Sequence, residues 1–160
     1  MLMLQLLGML LAAKAPKRQP LRAGWPLHRV LKDLQHGAEL EGLADHFPTM
    51  TFKPDPDVGM LEESAVLALH ELIRDDVLRL AGHGWEAAIE LVDDVGLRRY
   101  RRQLMGSQPE VAGLIYQAGS NWAALALTAE NNWAKALESV ARKRTSAIPM
   151  RRQGPVAVVR

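Results

Sequence analysis

Four arginines around one tyrosine, Leu97-Arg98-Arg99-Tyr100-Arg101-Arg102-Gln103-Leu104, form the densest charged group in the sequence. The guanidinium is a planar fork of N–H donors that matches phosphate and carboxylate oxygens. On a helical turn Arg98, Arg99, Arg101 and Arg102 spread around the axis. Some of them then reach phosphate or an acidic partner, while Leu97 and Leu104 pack inward. A solvated basic face is the plain alternative, since charge runs are mostly exposed. A helix-turn-helix over residues 85–104 would put this turn in a groove. It would also bring Asp93 and Asp94 beside the phosphates, which opposes that reading.

Residue types suited to catalysis are scattered. His28, His36, His46, His70 and His83 stand at no close ligand spacing, and no HExxH occurs. Asp55, Asp57 and Glu62 have part of a calcium-loop spacing, but Pro56 intervenes and Met60 stands where glycine is required. Glu62-Glu63, Asp75-Asp76 and Asp93-Asp94 are adjacent pairs, which suits solvated helix surface better than an acid/base couple. No phosphate-cradling glycine loop and no nucleophile elbow is present. The chain has no cysteine, so disulfides, thiolate metal sites and cysteine nucleophiles are excluded. The sequence therefore predicts a protein that is not an enzyme, with no catalytic, cofactor or metal residues.

The chain has 160 residues, 48% hydrophobic and 24% charged, which fits one globular domain with tails. Its net charge of +2 conceals three blocks. Residues 1–32 hold six Lys/Arg and no acid; residues 33–97 hold fifteen Asp/Glu against three Lys/Arg; residues 98–160 hold eleven Lys/Arg against three Glu. Such blocks steer association and say little about fold. The basic ends could meet nucleic acid, anionic lipid or an acidic partner, or fold back on the acidic middle.

The elements follow from periodicity. Residues 14–26, with three prolines, read as an extended basic linker. Helices are predicted at 27–36, ended by Gly37, and at 38–46, followed by a loop at 48–59. Residues 60–80 read as the strongest helix, with Val66, Leu69, Ile73, Val77 and Leu80 inward. Further helices are predicted at 85–95, 109–118 and 122–143, the last capped by Gly119-Ser120-Asn121. Strand signals are weak, and only residues 156–159 have one. The expectation is an all-α fold of antiparallel helical hairpins with extended basic termini. Its parts would be 1–26, an apolar helix plus linker; 27–143, the helical domain; and 144–160, a basic tail carrying Arg151 and Arg152.

Residues 1–13, MLMLQLLGMLLAA, are apolar on nearly every side. A helix of that length spans roughly 20 Å, too short for a hydrocarbon core of ~30 Å. No transmembrane span is expected, though contact with a membrane surface is open. A helix apolar all round wants burial all round. Leu2, Leu4, Leu7 and Leu11 are accordingly expected to bury in a partner subunit. The acid-free 32-residue start also has the composition of an organellar import segment. In the last helix Trp122, Ala126, Ala129, Trp133, Ala136 and Val140 step by 4, 3, 4, 3 and 4, a heptad seam. Trp122 and Trp133 there could be a partner hot spot or a base-stacking platform, with an ordinary core stripe as the alternative.

Two windows match at an offset of 37 residues: AGHGWEAA at 81–88 and AGSNWAAL at 118–125. A helix, a small turn and then a Trp opening the next helix resembles the pentatricopeptide-type helical-hairpin repeats of organellar proteins. The likeness covers about two units within residues 65–143. That family reads single-stranded RNA with tandem repeats; two units imply a protein-binding derivative. The sequence expectation is then a non-catalytic structural subunit of a large, mitochondrial multiprotein complex, respiratory or ribosomal. The alternatives are an RNA-contacting helical-repeat protein and a structural virion component, the latter in a virion or the cytoplasm.

Overall fold

The computed structural model describes residues 1–13, 21–82, 87–92 and 95–152, the side chains of 129–134 and 144–152 excepted. It divides the chain into two compact units, residues 1–126 and residues 127–160. The fold is mixed and not all-α: among the described residues helices accompany a three-stranded and a two-stranded antiparallel sheet.

Helix α1 (Met3–Ala13) is as expected a helix, but its burial is internal. Met3, Leu6, Leu7, Gly8, Met9, Leu10 and Leu11 are all buried in the core of the first unit. Eleven residues are short enough to be enclosed by α3 and α4, the elements α1 touches most. Strand β1 (Leu21–Arg22) leads into α2 (Trp25–Leu40), which starts with Pro26 in its first turn. Gly37 does not end this helix; the chain turns at Gly42, which has φ +70°. Residues 38–46 are therefore the end of α2 and a short 3-10 turn at Ala44–His46. Leu27, Val30, Leu31 and Leu34 form the buried face of α2, as their spacing predicts.

The expected loop at 48–59 contains strand β2 (Lys53–Asp55), paired with β3 (Gly59–Leu61). Asp55 Oδ1 accepts the N–H groups of Asp57 and Val58 at 2.8 and 3.0 Å, and Gly59 has φ +84°. The carboxylate that hinted at a calcium loop builds a turn.

The predicted helix at 60–80 is divided in three. Its start is β3, its centre is α3 (Glu63–Arg74), and its end is strand β4 (Leu78–Ala81). The helix stops because Asp76 adopts φ 56°. Val77 N–H donates to the Leu72 carbonyl at 2.9 Å and Asp76 N–H to the Ile73 carbonyl at 3.1 Å. This is a Schellman-type end with aspartate in the left-handed place usually taken by glycine. The predicted helix at 85–95 is likewise replaced where described, by strand β5 (Ala88–Leu91). A short apolar run such as Ala87-Ala88-Ile89 does not separate helix from strand by periodicity alone.

The larger sheet has the order β1-β5-β4, all antiparallel. Leu78 faces Leu91, Arg79 faces Glu90 and Leu80 faces Ile89. The Arg79–Glu90 pair closes at 2.8 Å across the strands. A 3-10 turn (Val95–Leu97) then opens α4 (Arg98–Met105). The last element, α5 (Pro109–Arg152), is one helix of 44 residues, so no turn forms at Gly119-Ser120-Asn121. Its first part buries Val111, Ile115, Ala118, Trp122 and Ala126. Residues 83–86 of the first repeat window lie outside the described residues, and the second window falls on the interior of α5.

Candidate functional site

The arginine cluster is the sequence feature that the fold assembles most clearly. Helix α4 is amphipathic: Tyr100 and Leu104 are buried, Arg98, Arg99 and Arg102 are exposed, and Arg101 is half-buried. Arg98, Arg99 and Arg102 line a surface depression of about 500 Å³ with Asp75, Val77, Val95 and Gly96. Its floor is tight, since a Cβ on Gly96 would lie 3.0 Å from the Val77 side chain. Arg99 lies 4.6 Å from the centre of the Tyr100 ring and donates from Nη2 to the Tyr100 hydroxyl at 2.6 Å. Tyr100 thereby fixes one guanidinium on the surface. The depression sits where α3 passes into β4, beside the Leu78–Leu91 end of the β4–β5 pair.

A second surface is the outward side of α3. Ala65, Ala68, Leu69 and Leu72 anchor the helix in the core. Glu63, Leu67, His70 and Arg74, spaced by 4, 3 and 4, are exposed, with Leu67 at 65%. The stripe carries balanced charge. Lys53 pairs with Glu63 at 3.3 Å, and Arg74 pairs with Glu71 at 3.7 Å, both in solvent. This stripe was not singled out from sequence. The adjacent Asp75-Asp76 pair is the one cue to the end of α3, and it does not by itself separate helix from strand, because Val77 and Leu80 keep helical phase.

The start of α3 is held by a buried polar knot. Glu62 is the N-cap: Oε1 accepts from Ser64 N–H at 2.8 Å and Ser64 Oγ at 2.6 Å. Its Oε2 accepts Thr51 N–H at 2.6 Å. Its own N–H donates to His28 Nδ1 at 3.1 Å, which ties α2 to α3. Burial lowers the His28 pKa below its ordinary value, partly opposed by the charges of Glu62 and Asp55. The sign of the linkage follows. Below the ordinary value near 6.5 the unfolded chain binds a proton that folded His28 resists, so stability falls as pH drops through that window. Urea midpoints measured at about pH 7.5 and pH 5 are expected to show this loss. His28→Asn, whose Oδ1 can still accept the Glu62 N–H, should flatten the dependence; an unchanged slope would assign it elsewhere.

The other expected site residues are dispersed. Leu7 and Leu11 are fully buried within the chain, Leu4 packs partly against the core, and Leu2 is 70% exposed. Leu7 and Leu11 therefore offer no surface to a partner, contrary to expectation. Trp122 is also fully buried, and its Nε1–H donates to the Arg22 carbonyl at 2.9 Å. The core-stripe alternative holds for Trp122, and stacking on a base does not. The side chains of Trp133, Arg151 and Arg152 lie outside the described residues. No group of three or more His, Asp or Glu that could hold a metal occurs among the described residues. No helix there is long and apolar enough to cross a membrane. No protein family, curated protein or solved structure matches the chain.

Proposed function

We propose that residues 1–126 form a non-catalytic domain that binds double-stranded nucleic acid, with α3 entering a groove and the β4–β5 hairpin lying beside it. One observation carries this reading. Helix α3, anchored on α1, runs directly into an antiparallel hairpin whose second strand is closed by β1. The layout is that of a helix-turn-helix unit with a hairpin wing at the exit of its second helix. Twelve residues of α3 span about 18 Å, and an α-helix fits a major groove about 12 Å wide. The connection between α2 and α3 departs from a tight turn, because it carries the β2–β3 hairpin.

On α3 the groove-facing residues are Leu67, His70 and Arg74. Leu67 suits a thymine methyl, and Arg74 suits a guanine edge or a phosphate. The balanced charge of the stripe assigns most of the affinity to basic residues outside α3. Arg98, Arg99 and Arg102 are the densest such group on the folded surface. The alternative reading, a subunit of a protein assembly, is supported by the distal part of α5 and no longer by α1.

Anisotropy of a labelled duplex of about 30 base pairs tests the proposal. Affinity is expected to fall steeply between about 50 and 200 mM salt, with a slope of about −4.5 for roughly five neutralised phosphates. His70→Glu combined with Arg74→Glu should weaken binding by about tenfold or more while the fold persists, since both side chains are exposed. If Arg98→Ala/Arg102→Ala abolishes binding and the α3 pair does not, the α3 assignment is wrong. Absence of duplex binding at low salt, or tighter binding of single-stranded RNA, would refute the proposal.

A further inference from the structure

We infer that the depression beside α4 binds a phosphate monoester carried on a small hydroxylated body. This is independent of the duplex reading, which requires only contacts to backbone phosphates. One face of α4 supplies the cations. Arg98 and Arg102 are four residues apart on the helix, Arg99 stands beside them, and all three are exposed. Among the described residues neither the Arg98 nor the Arg102 guanidinium is taken up by an ion pair. Arg99 is braced instead, by the Tyr100 hydroxyl that accepts from it at 2.6 Å and by the ring 4.6 Å away. Tyr100 is 1% exposed, so this guanidinium has little freedom left to lose on binding an anion. Basic side chains gathered on one side of a concavity focus their field there, as the same charges on a flat face do not.

The charges state which anion fits. Three guanidinium groups and the Asp75 carboxylate line the depression, which leaves a net of +2. A phosphate monoester carries about −2 at pH 7 and presents three terminal oxygens to arginine forks. A backbone phosphodiester carries a single charge and leaves one guanidinium unanswered. The remaining lining states what the ester carries. Asp75 repels the phosphate, so it belongs beside the other end of the ligand, where its carboxylate accepts from a hydroxyl. Val95 is 59% exposed and offers apolar contact to carbon. A volume of about 500 Å³ falls in the range of small-molecule sites and far exceeds what bare phosphate needs. A sugar phosphate has these parts, and so has the 5′ end of a phosphorylated strand.

Amide-shift titration of the full chain with ribose 5-phosphate at constant ionic strength tests this, with ribose and dimethyl phosphate as comparators. Ribose 5-phosphate is expected to bind roughly tenfold more tightly than dimethyl phosphate, with shifts gathered at Val77 and at residues 95–102. Ribose alone should produce none. Arg98→Ala combined with Arg102→Ala should weaken ribose 5-phosphate by about tenfold or more with unchanged helicity, since both side chains are exposed. Asp75→Asn should strengthen binding of inorganic phosphate by about twofold to fivefold, because the repelling charge is gone. A short DNA strand with and without a 5′-phosphate separates the two sources. A gain of roughly tenfold from that phosphate places the ester at a strand end. No gain, with ribose 5-phosphate still bound, places it on a free small molecule. Equal binding of dimethyl phosphate, shifts scattered over basic residues elsewhere, or an affinity untouched by the double alanine would overturn the inference. So would the absence of any shift at about 10 mM ribose 5-phosphate.

Discussion

Alanine at Gly8 is expected to lower stability by about 3 kcal/mol or more, the upper range for overpacking a core. In the interior of an exposed helix the same change stabilises by roughly 0.5–1 kcal/mol, because glycine has the larger chain entropy to lose. The tertiary contact reverses the sign. A Cβ at Gly8 would fall on the ring carbons of Tyr100, and Tyr100 is itself only 1% exposed. The ring has no free space to move into, so α1 must shift away from α4. Gly113 is the internal control: it lies in α5 and nothing would meet its Cβ within 4 Å. Gly113→Ala should therefore raise the melting temperature by a few degrees, while Gly8→Ala lowers it by about 10 °C. Tyr100→Leu in the Gly8→Ala background should recover part of the loss, a coupling that additive sites would not give. If Gly8→Ala is neutral, α1 does not pack on α4 as described.

The second large effect is at Trp122. Removing this fully buried indole is expected to cost about 3–5 kcal/mol, a large share of the total stability of a small domain. The indole does two things at once: it fills the core under α5 and donates to the Arg22 carbonyl beside β1. Trp122→Phe retains most of the filling and loses the hydrogen bond, so a smaller cost of about 1–2 kcal/mol is expected. Urea unfolding of the two variants separates the roles. A cost below about 1 kcal/mol for Trp122→Ala would show that α5 is not seated through this residue.

Which parts of this fold can be read from the sequence depends on what holds each part. The buried face of α2 is plain in Leu27, Val30, Leu31 and Leu34, because a 3.6-residue period needs no knowledge of the partner surface. The α3–β4 boundary is hidden, because Val77 and Leu80 fall in helical phase with Leu69 and Ile73. What ends the helix is aspartate in a left-handed conformation, where glycine would have announced it. Strands β1, β4 and β5 have two to four residues each, too few for alternation to stand out. The apolar circumference of α1 points to burial against a neighbour. The missing information was tertiary: Gly8 lets Tyr100 of α4 close over it. The arginine cluster was legible as charge, and its depression was not, since Asp75 and Val77 join it through the chain reversal after α3.

Function follows from the same division. Composition and the lack of ligand spacing give an expectation of no catalysis and leave the binding partner open. The α3 stripe has no charge signature; only its place before the β4–β5 hairpin marks it. A proposal resting on that place is best tested by locating contact residue by residue. Amide chemical-shift mapping of the full chain, titrated with a short DNA duplex at about 50 mM salt, does this most directly. The account predicts progressive shifts at exposed α3 positions, Leu67, His70 and Arg74 among them, and along the β4–β5 hairpin. Shifts confined to α4, or no shifts at saturating duplex, would contradict it.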